Sequence, residues 1–456
     1  NSQIGVPLSV WQLSEETELA IFEAGISEQG EMQRLQAIIQ PTIGVITYIG
    51  PEHGENFPSL EAKRAEKMQL FVNCPVVIED PTHQNVRTCA AVMRTLGYNE
   101  DTIAQRILHQ THETILEVNL SALVDNVRYF RSLLQPQTRL TCMVKAFGYG
   151  AGSVEVSRAL QNCGLVDYLA VAVADEGVEL RRAGITLPII IMDPEVAALD
   201  LILENNLQPN IYSFQVLENI IAAAESKGLE GVQIHIKIDS GMHRLGFYQE
   251  DMTQLADRLN GQKAVQVASI FSHLAGSDEA QFDAFTHEQA AYFKGCTNSL
   301  LPIANSPSPL LHICNTAGIE RFPEYHFDMC RLGIGMYGFS FLSNSLLPIT
   351  NNLRNVCTLK TTILSIKTVN AGETIGYGRH TTLNEPSQIA VIPIGYADGF
   401  DRRFSNYGGE VVVRGKRCPV VGNVCMDQAM IDITGTDAQV GDIVEIFGDR
   451  LPIAEL

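Results

Sequence analysis

The chain has 456 residues, which is long enough for two or three domains rather than one. Hydrophobic residues make up 45% of it and charged residues 18%, a balance that is typical of folded globular proteins and excludes a disordered chain. Acidic residues number 52 against 32 Lys and Arg, and the net charge of -20 argues against binding to nucleic acid or to an anionic membrane. A phosphate group would therefore need a local site built from amides and polar side chains.

The cysteine pattern indicates reduced thiols. Ten cysteines lie scattered through apolar segments without any CxxC spacing, and a chain of this size does not need disulfides for stability. No apolar run approaches the length of a membrane span. We expect a cytoplasmic enzyme with no nucleic-acid or membrane partner.

The first 110 residues have the pattern of a short α/β region with a thin core. Three helices and three strands are predicted in alternation. The predicted strands are Leu19–Glu23, Ile43–Ile49 and Val76–Glu79, and the predicted helices are Glu31–Ile39, Leu60–Phe71 and Asn85–Leu96.

From about Ile115 the pattern becomes regular. The helix after Asn119 places Leu123, Val127 and Phe130 on one apolar face. Eight short apolar runs then alternate with helical patterns, which predicts a (β/α)₈ TIM barrel. The predicted strands are Leu140–Lys145, Tyr168–Ala174, Pro188–Asp193, Asn210–Ser213, Val232–Asp239, Val267–His273, Pro309–Asn315 and Phe327–Arg331.

From about Cys357 glycine turns separate strand-like segments, which predicts an all-β C-terminal domain. We expect domains at residues 1–110, 113–355 and 356–456. The predicted strands of the last domain are Thr362–Val369, Ile389–Ile394, Glu410–Val413, Cys418–Val421, Met430–Ile433 and Ile443–Phe447.

Active sites of such barrels lie at the C-terminal ends of the strands. The reactive residues at those ends are Lys145, Asp239 with nearby Arg244, His273, Asn315 with Thr316, and Arg331. A lysine at the end of a buried strand is a candidate for Schiff-base formation with an aldehyde, because desolvation lowers the pKa of the amine. The alternative is a lysine whose amine simply reaches solvent.

Residues Gly333–Gly338 match GxGxxG directly after the last predicted barrel strand. No acidic residue follows at the distance that a dinucleotide fold requires, so a barrel-type phosphate site or a plain tight turn is favoured instead. A reactive lysine together with a phosphate site points to pyridoxal phosphate.

Six motifs together resemble the alanine racemase family over residues 115–456. They are Val144–Gly150 (VKAFGYG), Lys237–Gly246 (KIDSGMHRLG), Arg331–Gly338 (RLGIGMYG), Gly376–Arg379 (GYGR), Ile394–Gly399 (IGYADG) and Cys425–Gln428 (CMDQ). The resemblance implies pyridoxal 5'-phosphate as cofactor, alanine as substrate and no metal in this part of the chain.

The resemblance also implies two bases on opposite faces of the substrate carbon. Lys145 would carry the cofactor aldehyde and act as one base, and Tyr377 would be the other. Tyr377 and Met426, which would lie near the substrate carboxylate, come from the facing subunit in this family, so a head-to-tail homodimer is implied. Lysine and tyrosine are poor bases at neutral pH unless the site is cationic and desolvated.

The remaining implied roles concern cofactor binding. Arg331 would donate to the pyridine nitrogen, and because arginine keeps its own proton, that nitrogen would stay unprotonated. The ring is then a weaker electron sink, which limits transamination. Arg244 would contact the phenolic oxygen of the cofactor, Lys237 would be carbamylated to orient Arg244, and His273 would pack on the ring. The implied phosphate ligands are Tyr149, Thr316 and the amides of Gly333 and Ile334.

The chain departs from the family pattern at several positions. Phe147 stands where a polar residue is usual, Ala151 where histidine is frequent, and Thr316 replaces a serine. Asn423 stands where many members have an arginine that narrows substrate access, so access differs here. A further phosphate-binding tyrosine belongs to the end of the family pattern, beyond Leu456.

Residues 1–100 resemble the central domain of the ligase that adds D-alanyl-D-alanine to the cell-wall nucleotide precursor. The matching segments are Asn1–Ser9, Phe22–Gly25, Gly44–His53 and Ser59–Glu61. The resemblance makes Glu23 and His53 magnesium ligands and Lys67 a carbamylated lysine. No GxxxxGK[ST] loop occurs in the sequence, so we expect this fragment not to ligate, and we expect the sequence to be part of a longer bifunctional chain.

The expected function is the interconversion of L- and D-alanine to supply D-alanine for peptidoglycan. Three alternatives stay open: a racemase of broader specificity that also accepts serine, a non-catalytic pyridoxal phosphate carrier, and a scaffold that passes D-alanine to a ligase. A barrel-type decarboxylase is disfavoured by Arg331 and the Tyr377 loop.

Overall fold

The computed structural model describes residues 10, 20, 22, 24, 30–46, 59–79, 91–97, 114–300, 309–342 and 353–456. The chain divides into two units, Asn1–His112 and Glu113–Leu456. In the described part of the chain, no helix has the length and apolar character needed to cross a membrane.

Within its described residues, the first unit shows two parallel strands and several helical segments. Its elements are α1 (Glu31–Ile39), β1 (Ile43–Ile46), α2 (Leu60–Met68, continued by a 3₁₀ turn at Gln69–Phe71) and β2 (Val76–Glu79), with a helical segment at 91–95. Strand β1 pairs with β2, and Met32, Leu35 and Leu70 form a small buried core. These elements agree with the prediction. The predicted strand Leu19–Glu23 and residues 47–49 and 85–90 fall largely or wholly outside the described residues.

The second unit begins with β3 (Ile115–Val118) and then forms a barrel of eight parallel strands. The barrel strands are β4 (Arg139–Met143), β5 (Tyr168–Val171), β6 (Ile189–Ile191), β7 (Gln208–Ile211), β8 (Val232–Lys237), β9 (Val265–Phe271), β10 (Leu310–His312) and β11 (Met329–Leu332). Each strand from β4 to β10 pairs with the next, and β4 also pairs with β11, whereas β10 and β11 form no ladder. Strands β10 and β11 approach through the bonds Asp328 N to Leu311 O and Arg331 N to Cys314 O, of 3.1 and 3.0 Å, so the barrel is nearly closed. All eight predicted barrel strands are confirmed.

Helices surround the strands of the barrel. They are α3 (Leu120–Ser132), α4 (Ser153–Cys163), α5 (Ala174–Arg182), α6 (Leu199–Glu204), α7 (Phe214–Ser226), α8 (Met252–Leu259), α9 (Asp283–Leu300) and α10 (Thr316–Arg321). Among the described residues, the last strand, β11, is followed by a 3₁₀ turn, Ile334–Tyr337. Helix α3 packs against that turn, where Asn126 Nδ2 donates to Met336 O at 3.1 Å. The helix that precedes the first barrel strand therefore covers the last one.

Burial on both faces explains why the barrel strands read as continuous apolar runs. Ile189, Ile190 and Ile191 are all fully buried, with Ile190 in the barrel interior beside Tyr168 and Met329. The outer layer lies between strands and helices, and its apolar helical faces include Leu123 of α3. Burying each such side chain stabilises the fold by about 1.5–3 kcal/mol.

The C-terminal domain is an antiparallel eight-stranded sheet with one small two-stranded ribbon. Its strands are β12 (Cys357–Thr362), β13 (Ser365–Val369), β14 (Thr374–Ile375), β15 (Thr381–Thr382), β16 (Ser387–Ile392), β17 (Glu410–Val413), β18 (Lys416–Val421), β19 (Ala429–Asp432) and β20 (Ile443–Phe447). The all-β prediction is confirmed. The order in the large sheet is β13-β16-β19-β18-β17-β20-β12-β3.

Strand β3 was not predicted. It precedes the barrel in the sequence, yet it belongs to the sheet of the C-terminal domain, which follows the barrel. It pairs antiparallel with β12, placing Val118 opposite Cys357. Three of its four residues are exposed, so it lacks the apolar alternation that marks a strand. The chain thus passes through the β-sheet both before and after it forms the barrel.

The predicted strand Thr362–Val369 begins too early, since β13 covers Ser365–Val369 and Thr362 is the last residue of β12, which was not predicted. The segment is divided between β12 and β13, because these strands pair with different neighbours: β12 with β3 and β20, and β13 with β16. Ile363 is buried at the corner, and its amide donates to Asp442 O at 3.0 Å.

Candidate active site

A cavity of about 450 Å³ lies at the C-terminal ends of the barrel strands. Nine residues named from the sequence line it: Lys145, Tyr149, Lys237, Arg244, His273, Thr316, Arg331, Gly333 and Ile334. Asn315 lines it as well, and its side-chain oxygen caps α10 by accepting the amide of Gly318 at 2.9 Å. The barrel therefore brings together residues that are far apart in the sequence.

Lys145 opens a strained turn immediately after β4. Ala146, Phe147 and Gly148 have φ of 53°, 55° and 61°, the left-handed region that costs a non-glycine residue about 1 kcal/mol or more. Two hydrogen bonds hold the turn. Glu176 Oε1 accepts a hydrogen bond from the Ala146 amide at 2.6 Å, and the Tyr337 hydroxyl donates to the Gly148 carbonyl. Backbone strain held in this way is common where a functional side chain must be placed accurately.

The glycine motif after β11 forms a cradle of amides. The amides of Gly333 and Gly335 donate to Thr316 Oγ1 at 3.1 and 3.4 Å. A Cβ at Gly333 would lie 2.9 Å from the hydroxyl oxygen of Tyr149, so a larger residue would require the Tyr149 hydroxyl to move. Burial raises the pKa of Tyr149, which keeps its hydroxyl protonated and able to donate. Hydroxyl and amide donors thus converge on one corner of the cavity.

Replacing Gly335 by alanine is expected to destabilise the protein by about 1–3 kcal/mol through overpacking. An added Cβ would lie 2.5 Å from the Phe130 ring and 2.6 Å from Thr316 Cγ2. Gly295→Ala is the matched control, because nothing lies within 4 Å of a Cβ on that exposed face of α9 and helix propensity favours alanine. The midpoint of urea unfolding should fall for the first variant and rise slightly for the second; equal midpoints would refute the steric argument.

Arg331 is buried at the floor of the cavity. Its Nη1 donates to His312 Nδ1 at 2.6 Å, and its Nη2 to Ser272 O at 2.6 Å, to Ile313 O at 3.0 Å and to His273 Nδ1 at 3.2 Å. Burial lowers the pKa of Arg331 to about 10, which still leaves the guanidinium charged at neutral pH. All of these acceptors are uncharged groups, so its positive charge is available to a ligand.

Lys237 and His273 share this cationic environment. Burial lowers the pKa of Lys237 to about 8, with further lowering by the charges of Arg244 and Arg331. Burial also lowers the pKa of His273 well below its usual value, helped by the same arginines. Asp239 does not line the cavity; its Oδ1 accepts the amides of Gly241 and His243, each at 3.0 Å, and so shapes the loop that carries Arg244.

The cavity is positively charged although the chain as a whole is acidic. Four cationic side chains line it, Lys145, Lys237, Arg244 and Arg331, against two carboxylates, Asp193 and Asp278. Desolvation strengthens the attraction of these cations for an anionic ligand. The site thus combines a lysine amine, a cradle of amide and hydroxyl donors, and an excess of positive charge.

Comparison with known proteins accounts for this combination. Residues 118–341 match the model of the alanine racemase N-terminal domain and residues 356–456 that of the alanine racemase C-terminal domain. Alanine racemase 1 of Oceanobacillus iheyensis is 41% identical over 74% of this chain and 88% of its own length. The chain belongs to the alanine racemase family. Alanine racemase of Methanococcus maripaludis is 36% identical over 74% of this chain and 90% of its own length.

Solved alanine racemases have the same fold. That of Clostridium difficile matches with a TM-score of 0.69 and 36% identity, covering 74% of this chain and 88% of the other. That of Bartonella henselae, with covalently bound pyridoxal phosphate, matches with a TM-score of 0.67 and 27% identity, covering 75% and 92%.

The N-terminal part matches a different family model, the Mur ligase middle domain, over residues 1–128. Of the positions that the sequence suggested for magnesium and carbamylation, Glu23 and His53 lie outside the described residues, and Lys67 lies on α2. Among the residues that the structure describes, no group of His, Cys, Asp and Glu side chains could hold a metal ion.

Two residues expected in a racemase site, Tyr377 and Met426, do not line the cavity of their own chain. Both belong to the C-terminal domain and are highly exposed, at 75% and 59%. Tyr377 follows Gly376, whose φ of 68° suits glycine, and its carbonyl accepts a bond from Asn423 Nδ2 at 2.8 Å. An exposed tyrosine on a tethered loop is available to another molecule.

Several residues that hold the site together have little or no signal in the sequence. Asn423 was noted only as a departure from the family pattern, yet it fixes the Tyr377 backbone and is itself held by Asn406 at 2.8 Å. Glu176 and Tyr337 were not noted as supports of the Lys145 turn. Tyr337 could have been noticed because it lies inside the glycine motif. Nothing in the sequence connects Glu176 with Lys145.

Proposed function

We propose that this chain interconverts L-alanine and D-alanine with pyridoxal 5'-phosphate, and so supplies D-alanine for peptidoglycan. The observation that carries the proposal is the joint placement of Lys145 and the Thr316–Gly333 cradle in one cationic cavity of a family member. A phosphate fits the hydroxyls of Tyr149 and Thr316, because Thr316 Oγ1 accepts the Gly333 and Gly335 amides and so leaves its own proton free to donate. The amine of Lys145 is the group that would form a Schiff base with the aldehyde of pyridoxal phosphate.

The chemistry that pyridoxal phosphate supplies when bound is an electron sink, which lowers the energy of a carbanion at the substrate Cα. Inversion then needs a proton acceptor on one face of that carbon and a donor on the other. We assign these tasks to Lys145 Nζ and Tyr377 Oη. The guanidinium groups of Arg244 and Arg331 favour the deprotonated forms of nearby groups.

Arg331 sets how strongly the ring withdraws electrons. An arginine donates hydrogen bonds but does not give up its proton, so a ring nitrogen facing it stays unprotonated. We propose that Arg331 occupies this position, that His273 lies against the ring, and that Arg244 binds the phenolic oxygen and substrate carboxylate. Placed in this way, Arg331 would favour prompt reprotonation of the substrate Cα by Lys145 or Tyr377 over transamination.

We propose a homodimer with shared active sites. The exposure of Tyr377 and Met426, together with their absence from the cavity lining of their own chain, supports this arrangement. We further propose domain limits at 1–110, 113–355 and 356–456. We also propose a location in the cytoplasm, which agrees with the free thiols at all nine described cysteines.

The test is D-alanine formation from L-alanine by purified protein supplied with pyridoxal phosphate, with L-serine in a parallel reaction. Turnover of alanine well above that of serine is the expected result. Comparable turnover of serine would mean a racemase of broader specificity. Cofactor binding without turnover of either amino acid would indicate a carrier and contradict the proposal.

Lys237 is expected to bind carbon dioxide as a carbamate that pairs with Arg244. The uncharged amine attacks carbon dioxide, forming an N–C bond and releasing one proton. Because the pKa of Lys237 is lowered to about 8, the uncharged form is accessible near neutral pH, and carbamylation should increase as pH rises toward and through 8. Native mass spectrometry should detect one carbon dioxide per chain, absent in Lys237→Ala and retained in Lys145→Ala. No added mass at any pH would exclude the carbamate.

We propose that the N-terminal fragment does not ligate, because the sequence contains no GxxxxGK[ST] loop to hold ATP phosphates. ATP hydrolysis dependent on a cell-wall tripeptide precursor and D-alanyl-D-alanine should be undetectable. Precursor-dependent hydrolysis would contradict this proposal without affecting the racemase.

A further inference from the structure

Five polar side chains form a continuous hydrogen-bonded chain inside the barrel. Gln208 Oε1 lies 2.9 Å from His235 Nε2, and His235 Nδ1 lies 2.6 Å from Ser269 Oγ. Ser269 Oγ lies 2.9 Å from His312 Nε2, and His312 Nδ1 lies 2.6 Å from Arg331 Nη1. These residues come from five consecutive strands, β7 to β11, so the chain crosses the barrel from strand to strand. We call it the barrel relay.

The barrel relay lies one layer below the cavity. Side chains two positions apart on a strand share a face. His235 precedes Lys237 by two positions and Ser269 precedes Phe271 by two, and both Lys237 and Phe271 line the cavity. Of the relay, only Arg331 lines the cavity, so this arginine is the member that can contact a ligand directly.

The proton positions in the relay follow from Arg331. A guanidinium can only donate, so His312 Nδ1 must accept and His312 Nε2 must carry the ring proton. That proton goes to Ser269 Oγ, whose own hydroxyl proton then goes to His235 Nδ1. His235 Nε2 carries a proton in turn and donates to Gln208 Oε1. Every bond in the relay therefore points away from Arg331, an arrangement in which each bond strengthens the next.

Both relay histidines are held uncharged. His235 and His312 are buried, and burial lowers the pKa of each, that of His235 to about 3 and that of His312 well below its usual value. The ring of Phe271 stacks on His312 with centroids 4.9 Å apart and also lies 5.2 Å from Arg331 Cζ. Arg331 is thus the one charged member of the relay, held between a stacked ring and neutral acceptors.

We propose that Gln208, His235, Ser269 and His312 are positioning residues that hold the Arg331 guanidinium in one orientation and leave its charge unneutralised. The proposal rests on the proposed function in one respect: Arg331 is taken to face the cofactor ring nitrogen. A carboxylate in place of His312 would neutralise the guanidinium, whereas the relay binds it through neutral groups only. Loosening the relay should allow Arg331 to shift and should lengthen the life of the substrate carbanion.

The test breaks the relay at its centre, away from the cavity. Ser269→Ala removes the shared hydroxyl, and Ser269→Thr retains one. Ser157→Ala is the matched control, because Ser157 is equally buried and its hydroxyl has no hydrogen-bond partner in the described structure. Ser269→Ala should lower kcat roughly tenfold with little change in KM, the scale of losing an outer hydrogen bond that orients a functional group. Ser269→Thr should recover most of the loss, and Ser157→Ala should show none.

The ratio of D-alanine formed to pyruvate released distinguishes positioning from general damage. In the side reaction, alanine transfers its amino group and an electron pair to the cofactor, which becomes the amine form, and water supplies the pyruvate oxygen. Ser269→Ala should lower this ratio by roughly tenfold, the scale of the kcat loss, whereas a variant that is merely less well folded keeps the wild-type ratio. An unchanged ratio would overturn the proposal.

A second readout needs no turnover. In holoenzyme labelled with ¹⁵N-histidine, nitrogen shifts should assign the proton to Nε2 in both His235 and His312, and Ser269→Ala should shift both signals. A proton on Nδ1 of His312 would overturn the relay even in a fully active racemase. Conversely, the predicted tautomers in a protein without racemase activity would contradict the proposed function and leave the relay intact.

Discussion

Lys145→Ala is expected to reduce racemisation to below about 10⁻³ of the wild-type rate, since one residue would lose both covalent attachment of the cofactor and a general base. The strained turn after β4 fixes the backbone from which Lys145 enters the cavity. D-alanine formation at saturating pyridoxal phosphate is the measurement. Lys367→Ala, which removes an exposed lysine of β13, should keep wild-type activity.

The cavity contains a second lysine, Lys237, and the experiment must separate the two. Borohydride reduces a carbon–nitrogen double bond to a stable amine by adding hydride to carbon and a proton to nitrogen. Peptide mapping after reduction should place the cofactor mass on Lys145 in the wild type and in Lys237→Ala, and nowhere in Lys145→Ala. Mass on Lys237 would reverse the assignment of the two lysines.

The barrel could be predicted from the sequence because its strands are buried on both sides. A short apolar run such as Ile189–Ile191 suits a strand that is buried on both faces, and eight such runs at regular spacing indicate the barrel. Strand β3 could not be predicted, since its few residues are mostly exposed and its partner β12 lies beyond the whole barrel in sequence. Local pattern carries no information about such a pairing.

The same distinction applies to the site. Lys145, His273 and Arg331 could be identified because they stand at strand ends, and all barrel strands point these ends toward one cavity. The barrel relay could not be identified. Ser269 and His312 interrupt apolar runs as isolated polar residues, and only the closed barrel shows that their side chains meet inside it.

The C-terminal domain shows a further limit of sequence reasoning. The motif that includes Tyr377 could be recognised, but its support by Asn423 depends on a contact between two loops of the folded sheet. In the sequence, Asn423 was notable only because many family members have an arginine at this position. In the structure the side-chain amide of Asn423 donates to the Tyr377 carbonyl and so fixes the loop that carries the Tyr377 side chain.

Tyr377→Phe is expected to lower the racemisation rate by about 10²–10⁴-fold, the usual contribution of a positioned acid–base group. The change removes one oxygen from a side chain that is 75% exposed, so stability should be unaffected. Tyr407→Phe, at another exposed tyrosine of the same domain, should retain full activity. In deuterated water, the variant should still exchange the Cα hydrogen of the one enantiomer that Lys145 deprotonates. Loss of exchange for both enantiomers would show that Tyr377 supports the fold of the site rather than one proton transfer.

Co-expression of the Lys145→Ala and Tyr377→Phe chains tests whether the tyrosine acts across a dimer. A mixed dimer would contain one site built from the intact Lys145 of one chain and the intact Tyr377 of the other. Random pairing makes half of the dimers mixed, each with one of its two sites complete, so about a quarter of wild-type activity should return. If Tyr377 served its own chain, every site would lack one base and no activity would return. Recovery therefore requires both the homodimer and the exchange of Tyr377 between subunits.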